Sequence, residues 1–228
     1  MLGMMIFDQW WYLAIPGILL ALYAQLKLSS TYGHYVRIGN QARLSGAQAA
    51  REILDRAGLT SMPVEEVGGH LTDHYDPRTK TLHLSPEVYD GRSISSIAVG
   101  AHEAGHSIQD VKGYAWLGIR SNLVPVTKFG SNLWIWVFIA GQIFRSPMLI
   151  DLGILLFAGV VVFQLVTLPV EFNASNRAKA VLATSGIVQT QEEAQGVSQV
   201  LGAAAMTYVA GALTAVATLL YLLMRRRD

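Results

Sequence analysis

From Met148 to Val170 the chain carries a single charged residue, Asp151. A helix needs about 20 apolar residues to cross the hydrocarbon layer of a membrane, and this stretch supplies them. Lipid offers backbone N–H and C=O groups no partner, so such a segment must be helical. Three further stretches have the same character: Trp10 to Leu26, Phe129 to Phe144 and about Val200 to Met224. Composition agrees, with 52% hydrophobic and 14% charged residues, too apolar for an ordinary soluble domain. A net charge of +1 without a basic stripe gives no case for nucleic-acid binding. No cysteine is present, so disulfides and thiolate ligation are excluded, and a metal site would have to use His and carboxylate.

The expected fold is a mainly α membrane protein with about four transmembrane helices and a small α+β part. Residues 1–27 form an N-terminal anchor with no basic region before its apolar run and no clear cleavage site after it. Residues 28–125 form a soluble part, and 126–170 a transmembrane hairpin turning at Arg145-Ser146-Pro147. Residues 171–199 form a helix on the side of the soluble part, and 200–228 a last span with a basic tail. The last span is rich in Ala, Gly and Thr, which let membrane helices approach closely. Within the soluble part, Ser45 to Gly58 reads as a complete helix with Ser45 as N-cap and Gly58 as its stop. Pro63 to Val67 and Thr81 to Ser85 read as short strands, and Gly68-Gly69 and Asp76-Pro77-Arg78 as turns.

Chemistry concentrates at His102-Glu103-Ala104-Gly105-His106. On a helix the two histidines fall one turn apart on one face and can share one Zn²⁺, with Glu103 beside them as general base on water. The implied reaction is metal-assisted hydrolysis of a peptide bond. A catalytic zinc usually takes three protein ligands, so two histidines leave it one short. The hairpin contains two spans and returns the chain to the side of His102 at Pro169, where the first carboxylate is Glu171. Glu171 is therefore the expected third ligand. The plainer reading is a glutamate favoured at the start of a helix by its dipole.

The His-Glu-x-x-His motif, an apolar hairpin and then Glu171-Phe172-Asn173-Ala174-Ser175 together resemble the YugP-like neutral zinc metallopeptidases. These are similar in layout to the HtpX-type membrane peptidases of the gluzincin class. The likeness extends to the first span, to Leu71 to Pro77 and to Leu82 to Ser85. It implies a zincin-like domain, one Zn²⁺ per chain on His102, His106 and Glu171, Glu103 as base, and a polypeptide substrate near a bacterial plasma membrane. Ser175 departs from the HtpX pattern, which usually has aspartate there. A serine can still hydrogen-bond but cannot supply charge to a histidine outside the ligand set, which puts that outer contact in question and not the ligands.

Ser175, Arg177, His74, Tyr75 and Tyr89 are candidates for outer contacts or for stabilising the transition state, each with a structural role as the plainer reading. Leu82 to Ser85 could pair with an extended substrate as an edge strand, or be an ordinary edge strand. His70, Asp73, His74 and Asp76 form a polar cluster that fits turn hydrogen bonding better than a second metal. Lys27, Arg37, Lys112, Arg120, Lys128, Arg177 and Lys179 outnumber Arg145 and Arg225 to Arg227 near the span ends, which favours a cytoplasmic peptidase side. Two other classes remain open: a non-enzymatic zinc-containing scaffold or holdase, and an intramembrane site-2-type protease. The first should offer four protein ligands, and the second fits poorly with Asp110 and Lys112 beside the motif. Nothing in the sequence sets an oligomeric state.

Overall fold

The computed structural model describes residues 11–13 and 15–226. Trp10, where the first expected span opens, and Arg227 of the terminal cluster lie outside the described residues. A short 3-10 turn, Trp11–Leu13, precedes α1 (Ile15–Tyr35) and α2 (Gly46–Arg56). Strands β1 (Val64–Glu66), β2 (His74–Asp76) and β3 (Thr81–Leu84) follow. Then come α3 (Pro86–Tyr89), α4 (Ile94–Val111), α5 (Ala115–Ile143), α6 (Pro147–Thr184) and α7 (Gln191–Arg225). The protein is mainly helical with one small sheet.

Among the described residues, three helices are long and apolar enough to cross a membrane: α5, α6 and α7. The expectation was four. Helix α1 falls short because its second half takes up Gln25, Lys27, Ser29, Ser30 and Thr31. The first arm of the hairpin is longer than its apolar core suggested, since α5 already begins at Ala115.

Two compact units form. One takes the described residues of Met1–Gln25 with Ile119–Leu168 and Thr207–Asp228; the other takes Leu26–Gly118 and Pro169–Met206. In the first unit Phe138, Ile154, Phe157, Val161, Ala215 and Leu222 make the core. Close approach depends on small residues: a Cβ at Gly17 would lie 2.9 Å from Thr214 Cα, and Thr214 Oγ1 lies 2.9 Å from the Gly17 carbonyl oxygen. Large apolar side chains such as Phe129, Trp136, Met148 and Leu155 point outward, as suits a lipid-facing surface. Arg226 donates to Asp151 at 2.8 Å, so the end of α7 and the start of α6 are neighbours.

The second unit holds the candidate site. Helix α2 begins as its sequence dictates: Ser45 Oγ accepts from Gln48 N at 3.2 Å, and Gln48 Oε1 accepts from Ser45 N at 2.9 Å, a reciprocal capping box. Past its end, Gly58 adopts φ +79°, a conformation that favours glycine. The sheet order is β1-β3-β2, with β3 parallel to β1 and antiparallel to β2. This corrects the expectation that Leu82 to Ser85 lies on an edge: β3 is the central strand. The segment His74–Asp76, polar and three residues long, becomes a strand because it can pair with β3 while burying Tyr75.

The core of this unit gathers Ile53 and Leu54 of α2, Leu82 and Leu84 of β3, and Ile97, Ala98, Ala101 and Ala104 of α4. Helix α4 is buried on nearly every side, and its polar residues Ser95, Ser96, Glu103, His106, Ser107 and Gln109 are buried with it. It crosses α2 at a glycine pair, where a Cβ at Gly100 would lie 2.5 Å from the Gly46 carbonyl oxygen. Buried Glu193, in the first turn of α7, accepts from Gln41 N at 2.7 Å, Gln189 N at 2.8 Å and Thr190 N at 3.2 Å. One carboxylate thus caps a helix and anchors a distant loop.

Candidate metal centre

Ser93 caps α4, its Oγ accepting from Ser96 N at 3.0 Å, and the helix then runs unbroken through the His-Glu-x-x-His stretch. His102 and His106 project from one face, ring centroids 4.7 Å apart. Glu171 comes from α6, which does not start there but continues as a helix through Pro169. A proline inside a helix forfeits a backbone hydrogen bond. Val170, Ala174, Ala178 and Leu182, spaced four apart and fully or almost fully buried, form a ridge that holds the helix in place beyond it. Glu171 and Ser175 stand one residue beyond two members of that ridge. Because Glu171 sits in mid-helix, the helix-start reading of this residue is removed.

The two helices approach closely at the motif's own glycine. A Cβ at Gly105 would come 2.8 Å from the Ala174 carbonyl oxygen. This proximity brings the three side chains together: His102 Nε2 lies 3.2 Å and His106 Nε2 3.7 Å from Glu171 Oε2. Potential ligand atoms of His102, His106 and Glu171 all fall within 4.8 Å of one another, and this is the group among the described residues that could hold a metal ion. His106 and Glu171 are buried, and the His102 side chain is 12% exposed.

The chemistry of the donor set fits zinc. Each imidazole has its Nδ1 engaged away from the cluster: His102 Nδ1 lies 3.2 Å from Ser175 Oγ, and His106 Nδ1 lies 3.0 Å from Gln109 Oε1. Both Nε2 atoms are turned toward the carboxylate. Two imidazole nitrogens and one carboxylate form a familiar three-ligand zinc set that leaves a position open.

Glu103 is buried beside this cluster. Burial pushes its carboxyl up to about 7, His102 and His74 oppose the rise, and Glu171 and Asp73 reinforce it. A carboxyl tuned to that range can both take and return a proton near neutral pH.

The other candidates are engaged as follows. Tyr75 donates its hydroxyl to Asp110 at 2.5 Å, a carboxylate that Lys80 also approaches at 2.5 Å. His74 is exposed, its Nδ1 2.8 Å from the Thr72 carbonyl oxygen and its ring stacked on His83. Tyr89 packs, partly buried, against the core. Arg177 Nε donates to Asn173 Oδ1 at 2.7 Å. Around the polar cluster, Asp73 accepts from Ser85 N at 2.8 Å and Asp76 from Arg78 N at 2.8 Å. Only the second is the local hydrogen bond of a turn; the first joins residues twelve apart and ties Asp73 to the end of β3.

Gln109 touches His106 and Asn173 touches Gln109, and neither carries a signal in the sequence that separates it from an ordinary helical amide. The weak clue is spacing: Gln109 stands three residues after His106, and Asn173 two after Glu171. Gly105 gave no sign either, since glycine in a helix reads as a liability until its neighbour is known.

Two comparisons bear on these residues. Residues 10–227 match the family described as "Putative neutral zinc metallopeptidase". The chain is also 46% identical over 213 residues to "Putative membrane protease YugP" of Bacillus subtilis (strain 168), covering 93% of this chain and 94% of that protein. No solved structure matches.

Proposed function

This chain belongs to the family described as "Putative neutral zinc metallopeptidase", and on that premise we propose that it hydrolyses polypeptides at a membrane surface. His102, His106 and Glu171 would hold one zinc, and Glu103 would be the general base. The observation that carries the reading is the convergence of two imidazole Nε2 atoms on one buried carboxylate, 3.2 and 3.7 Å away. Zinc, when bound there, supplies a Lewis acid that lowers the pKa of water toward roughly 7 and polarises the scissile carbonyl.

The chain's own residues do the rest. Glu103 takes a proton from water and returns it to the departing amine, a role suited to a carboxyl held near neutrality by burial. Ser175 and Gln109 keep the two imidazoles from rotating. A set of three protein ligands favours an enzyme over a scaffold, since structural zinc sites are usually closed by four.

The surface location follows from chain order. Glu171 stands three residues after Leu168, where the apolar unit ends along α6. The polar turns about His74 and Asp76 would be costly in lipid. The balance of Lys and Arg supports a cytoplasmic side for the site.

The test is Glu103→Gln, assayed on an unfolded test protein beside wild type. General acid–base catalysis contributes roughly 10²- to 10⁴-fold, so activity should fall by at least about 100-fold while zinc is retained. Activity close to wild type would refute the role.

A further inference from the structure

We infer that Gln109 is a positioning residue that fixes His106 as the tautomer protonated on Nδ1, leaving Nε2 with its lone pair facing the cluster. The geometry stands alone, while its consequence for metal rests on the zinc reading above.

The amide of Gln109 is fully buried and has three neighbours. Nε2 lies 2.8 Å from the Val170 carbonyl oxygen and 3.0 Å from Asn173 Oδ1, and Oε1 lies 3.0 Å from His106 Nδ1. Which end of an amide is nitrogen must be decided by its partners. Here the partners decide it. A backbone carbonyl can only accept, so the group facing Val170 must be the NH₂. Asn173 is oriented in the same way, because Arg177 can only donate and its Nε points at Asn173 Oδ1 at 2.7 Å. The Gln109 amide therefore meets acceptors on one side, and its oxygen is left to face His106.

An oxygen without a proton needs a donor, so Nδ1 of His106 must carry the hydrogen. The neutral ring then has its lone pair on Nε2, the atom 3.7 Å from Glu171 Oε2. Flipping Gln109 would set oxygen against the Val170 carbonyl and Asn173 Oδ1, losing two hydrogen bonds in a buried place. His102 is different. Its Nδ1 faces Ser175 Oγ, which can donate or accept, so the serine does not select a tautomer. The inference thus separates the two histidines: Gln109 fixes the tautomer of His106, whereas at His102 the serine fixes none and the acceptor facing its Nε2 is Glu171 Oε2 at 3.2 Å.

The direct test is nitrogen NMR of the metal-free, full-length protein labelled at histidine ring nitrogens, above the range where imidazoles titrate. His106 should show a protonated Nδ1 and a bare Nε2. An Nε2-protonated His106 in wild type would overturn the inference without any variant being made.

Gln109→Met, which keeps the bulk and removes the acceptor, should give a mixture of tautomers. Its zinc affinity, measured by competition with a chelator, should fall roughly 10- to 100-fold. Asn173→Asp, which keeps an oxygen toward both Gln109 and Arg177, should hold the wild-type tautomer. A locked tautomer with unchanged zinc affinity in Gln109→Met would also overturn the inference. A wild type that is Nδ1-protonated at His106 yet binds no zinc would support the geometry and count against the proposed function instead.

Discussion

Gly105 of α4 and Ala174 of α6 meet so closely that a Cβ on the glycine would stand 2.8 Å from the alanine's carbonyl oxygen. Backbone cannot yield as a flexible side chain can, so this contact sets the distance at which Glu171 faces His102 and His106. Gly105→Val should push α6 away by more than the slack of a zinc bond, which is only a few tenths of an ångström about roughly 2 Å. Zinc occupancy should fall severalfold or more although none of the three ligand residues has changed. Metal content of the variant checks this, and wild-type occupancy would contradict it.

Glu193 is expected to matter for stability and not for chemistry. It satisfies three backbone N–H groups from inside the fold, and Glu193→Ala would leave them without that acceptor. The cost should be roughly 2 to 4 kcal/mol, seen as an earlier unfolding midpoint. Glu193→Gln keeps part of the arrangement and should lie in between. An unchanged midpoint in the alanine variant would show that the loop at Gln41 needs no such anchor.

Topology can be read chemically because the chain has no native cysteine. If α5 and α6 each cross the bilayer, single cysteines at exposed Thr79 and Thr184 should react from one face and one at exposed Arg145 from the other. Labelling of Thr79 and Thr184 variants from opposite faces would mean that His102 and Glu171 cannot share a metal.

What could be read from the chain in advance follows the range of the forces involved. The capped helix after Ser45 was legible because its signals, Ser45, Gln48 and Gly58, lie within the element. The histidine pair was legible for the same reason, and Glu171 because counting two spans makes it the first carboxylate beyond them. The central place of β3 was not, since it depends on pairing with His74–Asp76, a segment with no apolar alternation. Pro169 suggested a boundary by its local chemistry, and the Val170–Ala174–Ala178–Leu182 ridge overrides it through packing that no local pattern displays. Gln109 stayed hidden because its partners, Val170 and Asn173, lie more than sixty residues away.

The central claim is that His102, His106 and Glu171 hold one zinc together. The most direct measurement is the zinc content of the purified protein beside Glu171→Ala, prepared in parallel. We expect about one zinc per chain in the wild type, as one three-ligand set implies, and a large loss in the variant. Full zinc occupancy in Glu171→Ala would contradict the account.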